Sequence, residues 1–246
     1  MEYLERDYRL LHREEDLAHF RVAVRETDLD VGIRKDRYSK EMVELAEGLV
    51  RDCRGRLEEY IARDPGFLKS LIPYTLMPGA PGIAETMAEA ALAAGVGPMA
   101  AVAGAISEAI GIKLLKYSRD VIVENGGDIF IRTRRKRTIG IFAGGSPLSH
   151  RIGIEVRPED TPAGICTSSG TVGHSLSFGC ADAVVILSSS APLADAVATA
   201  AGNIVRCRDD LEKAVDFAIS IPGISGAVAI LGDRLAVKGK VKLLPI

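Results

Sequence analysis

The sequence predicts an α+β fold: a single domain spanning 1–246, with a largely antiparallel mixed sheet and small-residue helices packed against it. Three observations carry this. First, β-branched segments recur with tight turns between them: DVIVE, DIFIRT, GIEVR, GICTSS, ADAVVILS, GAVAIL, RLAVKG and VKLLP. Such residues crowd a helix and suit a pleated surface. Second, the apolar segments at helical length are rich in alanine and glycine. With 47% hydrophobic residues, 5% aromatics and no tryptophan, the core is aliphatic. Third, helices and strands do not alternate one for one, and no linker or composition shift divides the chain, which favours antiparallel pairing over repeated βαβ units.

Each element follows from local pattern. HFRVAV and DLDVGIRK flank Glu26-Thr27-Asp28 and read as a hairpin. From Ser39, an N-cap candidate, Met42, Leu45, Leu49, Cys53, Leu57 and Tyr60 recur every three or four residues. This predicts an amphipathic helix ending near Asp64-Pro65-Gly66. TLMPGAPG is a loop. Two small-residue helices are expected at about 83–94 and 98–116, separated by Gly95 and Gly97. Glu124-Asn125-Gly126-Gly127-Asp128 carries hairpin-turn chemistry. Arg134-Arg135-Lys136-Arg137 reads as a solvated basic turn before TIGIFAGG. A last helix is expected near 209–220. PMAAVAGAISEAI (98–110) and PLADAVATAAGNI (192–204) align without gaps, as two alanine-rich buried helices would.

"ADAV" occurs at 181–184 and again at 194–197. The first copy runs into Val185-Ile186-Leu187, so Asp182 is expected at the start of a strand. The second follows Ser190-Ala191-Pro192 and leads into alanines, a helix-start signal.

Composition narrows the partners. A net charge of −2 asks for no polyanion, and no aromatic interleaves the basic tip at 134–137, so nucleic acid is not expected. The apolar run from Ala90 to Ile106 is short and bracketed by Glu89 and Glu108, so no membrane span is expected. The charged opening MEYLERDYRLLHREED is unlike a signal peptide. Cys53, Cys166, Cys180 and Cys207 lie far apart with no C-x-x-C pair, which suits a reducing cytoplasm.

Three stretches could carry chemistry. Asp195 and Thr199 stand at i and i+4, on one helix face, and offer two hard oxygens of the kind Mg²⁺ takes. The spacing alone equally suits an acid complementing a helix dipole and a threonine bonding back to a carbonyl. Gly126 and Gly127 before Asp128 would let a ligand approach the backbone closely, or would simply turn a hairpin. Thr167, Ser168, Ser169, Gly170 and Thr171 crowd hydroxyls among glycine, with His174 beyond as a candidate proton-transfer group; a polar loop would look the same. No G-x-S-x-G elbow, P-loop or dinucleotide fingerprint occurs.

Taken in order, a small-residue helix, GGDI at 126–129, T-S-x-G at 167–170 and D-A-x-x-T at 195–199 resemble the ApbE-like superfamily, the relatives of FAD:protein FMN transferases. The chain is most similar to a short branch of it with no assigned function. The motifs cover about 98–205. The resemblance implies a mixed α+β fold with a flavin-dinucleotide site, in which Asp195 and Thr199 help hold Mg²⁺ near the pyrophosphate. It implies FAD or a related dinucleotide as the ligand, with Gly126, Gly127, Asp128 and Thr167 to Thr171 on the cofactor side; His174, the histidine near these motifs that could stand in as a base, is the catalytic candidate. It also associates the branch with sulfur assimilation, and leaves open a homo-oligomer or a pathway protein as partner. Two departures stand against the transferases. Their K-G-x-A-x-D helix here reads VAGAISEAIG, without the lysine or that aspartate. Their H-x-x-D-P-x-T-G segment is absent after T-S-x-G. FMN transfer is therefore expected to be lost. The alternatives are a cofactor-free scaffold and an active transferase.

Overall fold

The structure is a computed structural model and describes residues 15–171 and 177–246. An eight-stranded sheet runs in the order β1 (Leu17–Val24), β2 (Thr27–Arg34), β3 (Val121–Asn125), β4 (Asp128–Arg132), β7 (Ala163–Ser168), β8 (Ala183–Ser188), β9 (Ile224–Leu231) and β10 (Arg234–Gly239). Every adjacent pair is antiparallel. The intervening β5 (Arg137–Gly140) and β6 (Ile152–Val156) leave this sheet and form a second one with β11 (Leu243–Pro245).

The large sheet lies between two layers. Among the described residues the α-helices are α1 (Lys40–Arg63), α2 (Pro65–Lys69), α3 (Gly82–Ala94), α4 (Val102–Leu114), α5 (Ala191–Ile204) and α6 (Leu211–Ser220). One face of the sheet, including Val121, Val123, Phe130, Cys166, Val184 and Ile186, packs against helices. The other face, including Ile122, Ile131, Ile165 and Val185, packs against Ile141, Ile154 and Val156 of the small-sheet segment. Residues alternate between these cores along each strand, as the period of two requires.

The helix predicted from Ser39 is α1; the Ser39 hydroxyl accepts from the Met42 amide, as an N-cap should. Its buried stripe is Met42, Ala46, Val50, Cys53, Leu57 and Tyr60, so Leu45 and Leu49 flank the seam. The 83–116 region breaks at Gly95, which takes the left-handed C-cap conformation. No single helix among the described residues is long and apolar enough to cross a membrane.

Two expectations need correction and one is sharpened. The first hairpin turns at Arg25-Glu26, and Thr27 already pairs with Val24; Arg25 supplies the positive φ of 53°. The expected, largely antiparallel α+β architecture is found, and the structure sharpens it: among the described residues every pairing is antiparallel and the strands divide between two sheets. The basic stretch is not wholly solvated. Arg137 is buried and grips Asp16 through two bonds of 2.6 and 2.8 Å, and its guanidinium holds the Asp16 carboxyl below the usual range.

Candidate functional site

The β3–β4 hairpin, the end of β7, and the starts of α4 and α5 converge at one edge of the helix-facing side of the large sheet. The hairpin turns at Gly126 and Gly127, both with positive φ (70° and 108°). A left-handed pair is what a two-residue turn between twisted strands requires. The Glu124 carboxylate accepts from the Gly127 amide at 2.8 Å and closes the turn. Beyond it, Asn125 donates from Nδ2 to the Ala103 carbonyl at 3.2 Å, tying the hairpin to the start of α4.

Asp128 opens β4 on the helix-facing side, in step with Phe130, and stands opposite Cys166 in register. Cys166 donates its thiol to the Ala191 carbonyl at 3.3 Å, in the first turn of α5. The Asp128 carboxyl is therefore beneath that helix.

Ser190 caps α5, accepting from Leu193, and Pro192 occupies its first turn. Glu108 of α4 adds a second cap: its Oε2 accepts from the Ala191 amide at 2.6 Å. Asp195 lies one turn in. Its Oδ2 accepts from the Gly104 amide at 2.8 Å, so it caps the first turn of α4. The two helices can approach this closely because residue 104 is glycine: a Cβ there would lie 2.4 Å from the Ala191 carbonyl oxygen. Thr199, four residues on, is half-buried, and its hydroxyl has no hydrogen-bond partner among the described residues. The back-bond to a carbonyl that its helical position allowed is not made.

Electrostatics sets this cluster apart. Burial pushes the Asp195 carboxyl up to about 7, against the lowering effect of the Gly104 and Ala103 amides. Burial also raises Asp128 well above the usual range, and the neighbouring Asp195 charge raises it further. Among the described residues, no lysine, arginine or histidine forms an ion pair with either acid, and Oδ1 of Asp128 is enclosed without a hydrogen-bond partner. Two hard carboxylates and a free hydroxyl without a cation of their own fit a divalent metal ion.

The other predicted residues divide. Ser168 faces α5 beside Gly202, while Thr167 falls on the opposite side of the strand by alternation. Ser169 and Thr171 share a hydroxyl contact at 3.3 Å in the following loop, with Gly170 between them. Thr171 then donates to Asp182 Oδ1 at 3.2 Å, and the Gly232 amide donates to Asp182 Oδ2 at 2.7 Å. Asp182, immediately before β8, thus ties two loops together, in keeping with the strand-start role. His174 lies outside the described residues. A cavity of about 410 Å³ lies elsewhere, between the 73–76 segment and α3, and none of the predicted site residues lines it.

Sequence reasoning missed Gly104 and Glu108. They are four residues apart, the spacing of the glycine and the acid in K-G-x-A-x-D, so a carboxylate one methylene longer stands where that motif has aspartate.

Residues 9–237 match the model of the family described as AbpE bacteria. The chain is 40% identical over 230 residues to a UPF0280 protein of Methanococcus aeolicus, covering 92% of this chain and 91% of the relative. It is 47% identical over 201 residues to a UPF0280 protein of Methanosphaerula palustris, covering 81% and 83%. The chain belongs to this family. The UPF0280 fold is that of ApbE proteins. The flavinyl transferase ApbE of Pseudomonas stutzeri, in its apo form, superposes with a TM-score of 0.60 at 13% identity, over 91% of this chain and 94% of that one. The ApbE protein of Thermotoga maritima gives 0.51 at 13% identity, over 91% and 96%. At such identities the likeness concerns the fold.

Proposed function

We propose that this UPF0280 protein binds FAD, or a related pyrophosphate ligand, together with Mg²⁺, and that it has lost FMN transfer. Asp195 and Thr199 hold the cation. Gly126, Gly127 and the Thr167–Thr171 stretch border the nucleotide, Thr167 through its backbone because its side chain looks to the other side of the sheet, with Asp128 beside them. The observation that carries the reading is the pair of acids, buried Asp128 and half-buried Asp195, with no basic partner among the described residues and a free Thr199 hydroxyl one turn away. Bound Mg²⁺ would neutralise pyrophosphate charge there. The likeness to a flavinyl transferase supports the ligand class.

Loss of transfer rests on chemistry the chain lacks. Phosphoryl transfer needs a positioned, activated acceptor hydroxyl as well as charge stabilisation. The lysine of K-G-x-A-x-D is replaced by Ala103, and the H-x-x-D-P-x-T-G segment is missing.

Calorimetric titration of FAD with Mg²⁺, repeated with EDTA, tests the reading. Heat that depends on Mg²⁺ is expected. No heat in either titration, with folded protein, defeats it and favours a cofactor-free scaffold.

A further inference from the structure

We propose that Asp128 is itself a ligand of the cation, binding through Oδ1, so that the metal site has three side-chain oxygens rather than two. The inference rests on the reading that Asp195 and Thr199 hold a divalent cation.

Asp128 is 8% exposed, and its Oδ1 is enclosed with no hydrogen-bond donor among the described residues. A carboxylate oxygen left so is costly, because desolvation is not offset by any bond. Register and alternation direct the side chain towards α5. Asp128 stands opposite Cys166, whose thiol reaches the Ala191 carbonyl in the first turn of that helix. Asp195 is one turn further along the same helix, at the point where α5 meets the start of α4. Asp195 is fixed through Oδ2 to the Gly104 amide, and Asp128 opens β4 directly after the hairpin that the Glu124–Gly127 bond closes. Two carboxylates on this face, neither paired with a basic side chain among the described residues, meet a common need in one divalent ion. Mg²⁺ takes about six oxygens in an octahedron. Three from Asp128, Asp195 and Thr199 leave the remaining positions for water and phosphate.

A proton shared by the two acids would satisfy the same oxygen, and the experiment separates the two cases. Mn²⁺ alone, without nucleotide, is titrated into wild type, Asp195→Asn, Asp128→Asn and Asp128→Ser, and free Mn²⁺ is read by electron paramagnetic resonance. Circular dichroism checks folding. The expected result is binding by wild type and at least a tenfold loss in both Asp128 variants as well as in Asp195→Asn. Wild-type affinity in folded Asp128 variants, with loss in Asp195→Asn, overturns the inference and leaves the parent reading standing. No Mn²⁺ binding by folded wild type overturns both. Should neither Asp128 variant fold, Fe²⁺ with ascorbate and peroxide replaces them by cutting the wild-type backbone beside its ligands. Cuts near both 128 and 195 are expected; cuts near 195 alone overturn the inference.

Discussion

Asp128 and Glu155 are both buried carboxylates on central strands, one facing the helices and the other in the small sheet, and they keep opposite company. Glu155 sits among Arg157 at 2.9 Å, Lys242 at 3.1 Å and Lys136 at 3.4 Å. Bonds to Arg157 and Lys242 lead in holding its carboxyl down to about 2. Asp128 has another acid as its neighbour, and its carboxyl is pushed up. A buried charge that brings its own partners contributes to structure. A buried charge without one is a reservoir of unmet attraction, and such sites mark where a ligand completes the molecule.

The comparison breaks most readily at Asp195. Asp195→Asn is expected to weaken Mg²⁺-dependent FAD binding by about a hundredfold, because it removes a metal ligand itself rather than a supporting group. Asp182→Asn, which removes loop ties to Thr171 and Gly232, should change that affinity by less than about threefold while costing roughly 1–3 kcal/mol of stability. Calorimetry and thermal unfolding of the two variants provide the check; equal losses of binding would reverse the assignment of the two ADAV copies.

Gly104→Ala attacks the geometry instead of the charge. Its Cβ would meet backbone at Ala191, which cannot move without shifting α5. A loss of about 1–3 kcal/mol is expected, as for other overpacked sites. Binding should weaken with it, since the Gly104 amide positions Asp195. Denaturant unfolding beside the FAD titration tests both parts.

Acid–base behaviour sharpens the contrast by its sign. The folded Asp195 carboxyl titrates at about 7, above its ordinary value of 3.8. Between these values the folded chain binds more protons than the unfolded one, so this site's contribution to unliganded stability falls as pH rises from about 4 to about 7. Glu155 works the other way. Its stabilisation is present above the ordinary value of 4.5 and is lost as pH falls through about 2. Melting temperatures across this range should show a neutral limb that flattens in Asp195→Asn and an acid limb that flattens in Glu155→Gln. Glu155→Gln should also leave Mn²⁺ binding unchanged.

The smallest expected effect is none at all. Incubation with FAD, Mg²⁺ and a flavin-acceptor protein should leave no covalent FMN mass on the acceptor. Stoichiometric labelling that depends on His174 would restore the transferase reading.

Much of the architecture was legible where the signal is local. Ser39 and Ser190 announce helix starts through their own hydroxyls, and Gly126-Gly127 announces a turn through backbone freedom alone. Non-local features were not legible. Arg137 looked like part of a solvated tip because its partner, Asp16, is 121 residues away. The departure of β5 and β6 into a second sheet left no local mark, since a strand's residues do not state which edge they will join.

By itself, the sequence determined the α+β class, the positions of most elements, and the pairing of Asp195 with Thr199 on one helix face, because capping, turn chemistry and periodicity act within a few residues. It also separated the two ADAV copies, through a proline on one side and β-branched residues on the other. The tertiary structure alone decided that Asp128 lies on the side of the sheet that α5 covers, that Gly104 lets α4 and α5 approach closely, and that Thr167 and Ser168 look to opposite sides. Those outcomes depend on strand register and helix approach across distant segments, where one residue of slip would carry a side chain to the other face of the sheet.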